Sequence, residues 1–215
     1  DLRADRQPEF TQIDIEMSFI NEEDIFEYME GLTCHVFQTV AKVDLPLSFP
    51  RITYKEAMET YGSDKPDLRY ELKLIELKEY TDLSEFNAFN SVERVKGLVV
   101  KGGAKYSRKI IDDLTELVKK YKAKGLAWMK SNNNGFEGGI SKFFSVQLLE
   151  RMKKELEIED GDILFMVGDK TKIVLNALGF LRIEIANREN LVNKNEFSPV
   201  WVTEFPMFEY DDENN

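Results

Sequence analysis

The chain has 215 residues, of which 42% are hydrophobic and 12% aromatic, so it can bury a proper core as one large or two small domains. Its formal net charge of −11 argues against non-specific binding to a polyanion. No apolar run approaches the length of a bilayer-spanning helix and the first residues are charged, which predicts a soluble, cytoplasmic protein with no membrane partner. A single cysteine and a single histidine exclude an intrachain disulfide and a zinc site.

The beginning of the chain joins an arginine-bearing segment to an alternating pattern. Arg3 and Arg6 lie among carboxylates, and the planar guanidinium group is suited to binding phosphate. From Gln12 to Phe19 polar and apolar residues alternate, which is typical of a strand with one polar and one apolar face. The polar row contains an amide, two carboxylates and a hydroxyl: Gln12, Asp14, Glu16 and Ser18. Such a row is either a solvated face or a site for a cationic amine, and the pattern alone leaves both open.

Capping patterns predict two helices in the next part of the chain. Asn21 precedes a run of three acidic residues, which suits the N-terminus of a helix and its dipole. Thr53 and Glu56 have the spacing of a capping box and predict a short helix that ends near Tyr61. Residues 62–67 lack periodicity and are rich in turn-forming residues, so they are predicted to form a loop.

From about Tyr70 onwards, apolar strand patterns alternate with helical ones. The predicted strands are Val95–Val100, Leu126–Met129 and Ile163–Val167, and the predicted helices are one that begins at Ser107 and two over residues 146–156 and 171–186. This order predicts a compact α+β or α/β module. After Pro199 the chain returns to a strand, Val200–Phe205, which precedes an acidic tail, Glu209–Glu213.

The middle of the chain is basic although the whole chain is acidic. Between Arg94 and Lys130 there are eleven Lys or Arg residues and three Asp or Glu residues. Such an excess of positive charge usually belongs to a solvated face, here a helix and its flanking strands, and the alternative is an RNA-facing surface.

Three strings occur in an order that is known from one enzyme family. They are LRADRQPEFTQID-E at residues 2–16, YGSDKPDLR at residues 61–69 and WVTEFPMFE at residues 201–209. Together they resemble the class II aminoacyl-tRNA synthetases, in the form found in bacterial-type aspartyl-tRNA synthetases. The first string is similar to the distal half of the second signature motif, without the arginine and glutamate that open it. The resemblance therefore implies an internal fragment.

The resemblance implies an α+β fold with three parts. Residues 1–69 are expected to form part of the class II catalytic domain, with its antiparallel sheet and helices. Residues 70–198 are expected to form an inserted GAD-type α+β domain, which is shared with a subunit of the tRNA-dependent amidotransferase. Residues 199–215 are expected to supply a return strand and an acidic loop of the catalytic domain. The parent enzyme is expected to be a homodimer.

The implied activity is that of an aspartate–tRNA ligase. Such an enzyme uses ATP to convert L-aspartate into aspartyl-adenylate and then transfers the aspartyl group to the tRNA for aspartate, or also to that for asparagine. The resemblance implies that ATP is bound by Gln7, Arg3 and Arg6. It implies that aspartate is bound by Gln12, Asp14 and Glu16, and that the pocket or the tRNA end is supported by Tyr61, Ser63, Asp64 and Lys65. No residue is assigned as a catalytic group or a metal ligand.

The resemblance has two further implications, and one alternative function stands beside it. The ligands of the Mg²⁺ that accompanies ATP are expected outside this chain, and the isolated chain is expected to be inactive. The alternative is a non-catalytic RNA- or protein-binding module, centred on the inserted domain, that docks its partner through the basic stretch.

Overall fold

The computed structural model describes residues 8–208, which form two compact units, one ending at Phe49 and the other beginning at Pro50. Several residues singled out above lie outside the described range: Arg3, Arg6, Gln7 and the acidic tail 209–213. The predicted boundary between residues 69 and 70 stays a prediction.

The first unit is built around helix α1, Glu22–Val36. Its predicted start is confirmed. The Asn21 side chain accepts hydrogen bonds from the backbone N–H groups of Glu23 and Asp24, and the Asp24 carboxylate accepts one from the Asn21 N–H at 2.8 Å. A π-helical turn, Phe37–Ala41, follows directly on the helix. Later in this unit, the buried Glu30 accepts a hydrogen bond from the Phe49 N–H at 3.0 Å, which ties the end of the unit back to the helix.

The predicted strand from Gln12 to Phe19 is wrong in this structure. Residues 10–17 belong to neither a helix nor a strand, and residues 8–49 contain no strand. The apolar side chains of the row are exposed along with the polar ones, Ile13 by 75% and Ile15 by 49%. A strand satisfies its backbone groups through a neighbouring strand. Alternation predicts which side chains share a face, but it does not show whether a second strand lies alongside to pair with the first.

The second unit begins and ends in a parallel strand pair. Strand β1, Arg51–Thr53, pairs with β7, Trp201–Thr203, so that Arg51 lies opposite Trp201. The predicted return strand is therefore present, although it is shorter than the expected Val200–Phe205. Because the pair is parallel, the intervening chain leaves β1 at one end of the pair and returns to β7 at the other end.

The chain between β1 and β7 forms a separate five-stranded sheet with the order β2-β3-β6-β4-β5. Its strands are β2 (Ile75–Glu76), β3 (Arg94–Val100), β4 (Ala127–Asn132), β5 (Gly135–Glu137) and β6 (Ile163–Asp169). Every pairing in this sheet is antiparallel, which decides for the α+β alternative over α/β. The three long strands were predicted, whereas β2 and β5 are too short to show a period.

Five helices complete the second unit: α2 (Tyr54–Tyr61), α3 (Lys78–Thr81), α4 (Arg108–Lys120), α5 (Val146–Glu155) and α6 (Thr171–Arg188). Short 3₁₀ turns lie at Asn87–Phe89, Gly103–Lys105 and Ser141–Phe143. The predicted capping box of α2 is confirmed by Thr53 and Glu56, and Ser107 caps α4 as predicted. None of the helices within residues 8–208 is long and apolar enough to cross a membrane.

The sheet has a core on each face, which explains the unbroken apolar run of β6. Phe165 and Val167 pack with apolar residues of α4 and α6, whereas Leu164 and Met166 pack with apolar residues of α5. Side chains of a strand alternate between its faces, so both sets are buried only if both faces are covered. The second unit is thus three layers thick, with α6 as its longest helix.

Candidate functional site

The residues predicted to bind aspartate lie in the first unit. Gln12, Asp14 and Glu16 are all exposed and precede α1 in a segment without regular structure. Exposure leaves both carboxylates open to a ligand. It does not by itself distinguish a binding site from a solvated segment, so the alternative of a solvated face remains open for these three residues.

The residues predicted to support the pocket lie in the second unit, where the structure gathers them into one loop after α2. Tyr61 is the last residue of α2, and Gly62 ends the helix in the left-handed conformation, with φ 68°. The Ser63 hydroxyl accepts a hydrogen bond from the Lys65 N–H at 3.0 Å, which makes a tight turn. Ser63 and Asp64 are half-buried, and Lys65 is exposed. The predicted loop is confirmed.

The second half of this loop is held by an internal ion pair. The Arg69 guanidinium donates to both carboxylate oxygens of Asp67, at 2.9 and 2.7 Å, and the Arg69 N–H donates to the same carboxylate at 3.1 Å. These hydrogen bonds hold the pKa of Asp67 below its ordinary value, chiefly through the side chain of Arg69. Because Arg69 contacts Asp67 through both its side chain and its backbone N–H, the path of residues 67–69 is fixed just before the buried Tyr70.

A buried arginine from α6 binds the same loop from the other side. Arg182 is only 2% exposed. Its Nε donates to the carbonyl of Leu72 at 2.5 Å, and its Nη2 donates to the carbonyls of Asp67 and Tyr70 at 2.7 and 3.1 Å. Its Nη1 donates to the Tyr70 hydroxyl at 2.9 Å. Burial lowers the pKa of this guanidinium and raises the pKa of Tyr70.

Two glycines allow the loop to approach α6 at backbone distance. A Cβ atom added to Gly62 would lie 2.3 Å from the carbonyl oxygen of Leu175 and 2.8 Å from the Cα of Gly179. A Cβ atom added to Gly179 would lie 2.3 Å from the carbonyl oxygen of Gly62. No side chain fits at either position, so the loop and the helix are in direct backbone contact.

A charged cluster joins α2 to the sheet just before the loop. The Glu59 carboxylate accepts hydrogen bonds from both Nη atoms of Arg94, at 2.7 and 2.5 Å, in a bidentate pair. The Lys96 ammonium, only 4% exposed, donates to the Glu59 carbonyl at 2.6 Å and to its carboxylate at 3.0 Å. The hydrogen bond from Arg94 is the main cause that holds the pKa of Glu59 below its ordinary value. Sequence reasoning missed this cluster, since its members are far apart in the chain.

The basic stretch is divided between buried and exposed positions. Lys96 is buried in the cluster with Glu59 and Arg94. Four lysines at the end of α4 or just after it are exposed: Lys119, Lys120, Lys122 and Lys124. Beside them, Tyr121 stacks on Phe180 of α6 with the ring centroids 3.8 Å apart. The groove next to them, of about 340 Å³, is lined by both signs of charge, including Asp113, Glu116, Lys120 and Arg188.

Comparison with known proteins decides the family. The model of the family described as tRNA synthetases class II (D, K and N) matches residues 1–213. The chain belongs to this family of class II tRNA synthetases. The resemblance carried by the three strings is thereby confirmed, and so is the expected α+β fold.

Curated relatives match this class II synthetase chain along almost its whole length. An aspartate–tRNA(Asp/Asn) ligase of Persephonella marina is 49% identical over 99% of the chain, and one of Brachyspira hyodysenteriae is 47% identical over 98%. An aspartate–tRNA ligase of Halalkalibacterium halodurans is 47% identical over 99%. The chain spans only 36 to 37% of the length of these relatives.

Proposed function

We propose that the protein to which this chain belongs is an aspartate–tRNA ligase. It converts L-aspartate and ATP into aspartyl-adenylate and pyrophosphate, and then transfers the aspartyl group to the tRNA for aspartate, or also to that for asparagine. The observation that carries the proposal is the high identity of nearly the entire chain to relatives whose names state this activity. Membership of the class II family supports the use of ATP and of tRNA as substrates.

The proposed reaction needs positioning rather than a covalent intermediate. The carboxylate of L-aspartate attacks the α-phosphorus of ATP and pyrophosphate leaves; a terminal hydroxyl of the tRNA then attacks the resulting mixed anhydride and AMP leaves. Such steps are accelerated by orienting the reactants and by stabilising the charge that develops on phosphate.

We assign the amino-acid substrate to the polar row of the first unit. Asp14 pairs with the ammonium group of aspartate, and Gln12 and Glu16 complete or orient this contact. A carboxylate that accepts hydrogen bonds from an ammonium group makes a charge-assisted contact, which is about twice as strong as a neutral one. The assignment rests on the resemblance of residues 2–16 to the class II motif, and the exposed carboxylates of the row are accessible to a ligand. We assign ATP to Arg3, Arg6 and Gln7.

We assign a supporting role to the loop after α2, that is, to Tyr61, Ser63, Asp64 and Lys65. Its conformation is fixed by the Ser63 turn, by Arg182 and by the close contact with Gly179. A rigid loop can hold the wall of a pocket or the end of a tRNA in a defined place.

Magnesium is proposed as the companion of ATP, with its ligands elsewhere in the protein. Residues 8–208 contain no grouping of three or more His, Cys, Asp or Glu side chains that could hold a metal ion. We route no step of the reaction through a metal held by the described residues.

The remaining proposals concern organisation. Residues 1–69 and 199–215 are assigned to the catalytic domain and residues 70–198 to the inserted GAD-type domain. The whole enzyme is proposed to be a cytoplasmic homodimer.

The direct test is ATP–pyrophosphate exchange by the full-length protein with each of the twenty amino acids in turn. Exchange that depends on L-aspartate, followed by charging of a transcript of the tRNA for aspartate, is the expected result. Exchange that depends on another amino acid, or none at all, would overturn the proposal. The 215-residue chain alone is expected to give no exchange above background.

A second candidate function is favoured by the exposed lysines at the end of α4. In this case the second unit is a non-catalytic module that binds RNA through these lysines and the stacked Tyr121 and Phe180. The test compares tRNA binding by the Lys122→Gln, Lys124→Gln double variant with that of a Lys142→Gln, Lys154→Gln control at several salt concentrations. A loss of affinity and a shallower salt slope in the first variant alone would support this function.

A further inference from the structure

Arg182 is a charged residue on the core-facing side of α6, where its neighbours along the helix are apolar. Leu178, Leu181 and Ile185 are fully buried in the core cluster between α4, α6 and the sheet. A guanidinium at such a position costs more to bury than an apolar side chain of similar volume, unless its donors are satisfied. Its presence therefore calls for a reason beyond the cohesion of the core.

We propose that Arg182 is a positioning residue for aspartate activation: it fixes the loop after α2, so that α6 sets the geometry of the residues that support the substrate pocket. This inference rests on the proposed function and deepens it, because it names a residue outside the three family strings as necessary for efficient use of aspartate.

The hydrogen bonds of Arg182 all point at one segment of the chain. Three backbone carbonyls and one hydroxyl accept them, and all four belong to residues between Asp67 and Leu72. Backbone carbonyls as acceptors fix the path of the chain itself rather than the rotamer of a side chain. One guanidinium thus holds a six-residue segment at its beginning, its middle and its end.

The rings of two tyrosines complete the binding of this guanidinium. Its central carbon lies 4.0 Å from the ring centroid of Tyr70 and 4.9 Å from that of Tyr61. Such contacts between a cation and an aromatic face are favourable when the cation is desolvated. Tyr61 is itself one of the residues assigned to the support of the pocket, so Arg182 touches this set directly.

A lysine could not replace this arrangement. The guanidinium is planar, so it can stack on a ring while its edge donates several hydrogen bonds in fixed directions. An ammonium group has three donors on one atom and offers no plane for stacking. The substitution Arg182→Lys therefore keeps the charge while it removes the geometry.

The test uses the full-length enzyme with three variants: Arg182→Lys, Arg182→Met and, as a mild change, Tyr70→Phe, which removes only the hydroxyl acceptor of Nη1. The kinetic measurement is kcat and KM for aspartate in pyrophosphate exchange. We expect kcat/KM for aspartate to fall by on the order of tenfold to a hundredfold in both Arg182 variants, and by less in Tyr70→Phe. The change is expected mainly in KM for aspartate.

A readout that does not depend on activity is hydrogen exchange of the backbone amides. In Arg182→Lys we expect faster exchange confined to residues 61–74, with unchanged exchange in β3 and β6. The matched control is Arg151→Lys in α5, where another arginine lies 5.0 Å from the ring centroid of Tyr80 and pairs with Glu155, away from the loop. This control is expected to leave both the aspartate kinetics and the exchange of residues 61–74 unchanged.

The outcomes separate this inference from the proposed function. Wild-type enzyme that does not activate aspartate refutes the proposed function, whereas the exchange data still decide whether Arg182 holds the loop. Folded Arg182 variants with wild-type kinetics, or a loss of kcat/KM without faster exchange in residues 61–74, overturn the inference. If Arg182→Met does not fold, Arg182→Lys and Tyr70→Phe still give the same two readouts.

Discussion

Replacing Gly62 by alanine tests the direct contact between the loop and α6. Gly62 and Gly102 both have left-handed backbones, with φ 68° and 65°. They differ in their surroundings, because a Cβ atom at Gly102 would meet nothing within 4 Å, whereas one at Gly62 would lie 2.3 Å from the Leu175 carbonyl oxygen. The Gly102→Ala variant is therefore a matched control for the conformational cost alone.

The expected magnitudes follow from this difference. A left-handed conformation costs a residue with a Cβ atom about 1 to 2 kcal/mol, and both variants carry this cost. At Gly62 the new methyl group must also displace the backbone of a helix, because Gly179 lies 2.8 Å away and no flexible side chain can yield. Overpacking of this kind adds about 1 to 3 kcal/mol. We expect a loss of about 2 to 5 kcal/mol for Gly62→Ala, against about 1 to 2 kcal/mol for Gly102→Ala.

The assay is urea unfolding of the 215-residue chain, followed by tryptophan fluorescence. Both tryptophans, Trp128 and Trp201, lie in the second unit, so the signal reports on the unit that contains both glycines. The midpoint is expected to fall strongly for Gly62→Ala and slightly for Gly102→Ala, with a similar dependence of the free energy of unfolding on urea. Equal losses in the two variants would refute the contact between loop and helix.

Two further predictions concern charged groups. Glu59→Gln is expected to lower the free energy of unfolding by about 2 kcal/mol at pH 7, because it leaves the buried Lys96 without its carboxylate partner and takes from Arg94 one of the two carboxylates with which it pairs. Since the pKa of Glu59 is lower in the folded state than its ordinary value of 4.5, the wild-type advantage is present above that pH and is lost as the pH falls through the folded pKa. Glu71→Gln is the control, since its pair with Lys73 is exposed. An advantage of Glu59 that does not decline as the pH is lowered below 4.5 would contradict the reasoning. In the full-length enzyme, Asp14→Asn is expected to lower kcat/KM for aspartate by about 10²- to 10³-fold, because it removes one charge-assisted contact to the substrate. The control is Asp113→Asn at an exposed position of α4, which is expected to leave kcat/KM unchanged. Unchanged use of aspartate by Asp14→Asn would remove Asp14 from the pocket.

Local signals in the sequence predicted the helices well. The capping side chains of Asn21, Thr53 and Ser107 each mark the first turn of a helix in the structure. These predictions succeeded because a cap satisfies backbone N–H groups two or three residues away, so its signal and its effect lie in the same short segment. The long strand β6 was predicted for a similar reason, since both of its faces are buried and residues 163–167 are continuously apolar.

Strand pairing was the part that local signals could not predict. The alternation from Gln12 to Phe19 has a clear period, yet the described residues of the first unit provide no neighbouring strand. Conversely, β1 and β7 are only three residues long and show no period, but they pair because the fold brings residues 51 and 201 together. Hydrogen bonding between strands is a property of the assembled chain, not of either segment.

The loop contacts of Arg182 were also missed, although the sequence contains a signal for them. Leu178, Leu181 and Ile185 define the buried face of α6, and residue 182 lies on that same face by helical spacing. A charged residue on an apolar face requires a specific partner. The spacing could thus have identified Arg182 as a residue with a structural task, but not the loop it binds, which is more than a hundred residues away.

The loop after α2 is attached to other elements of the second unit at two places. The Glu59 cluster joins α2 to β3, and Arg182 joins the loop after α2 to α6. Because both attachments lie beside the residues assigned to pocket support, a displacement of α6 or β3 would be transmitted to that loop, since packed backbones do not deform continuously.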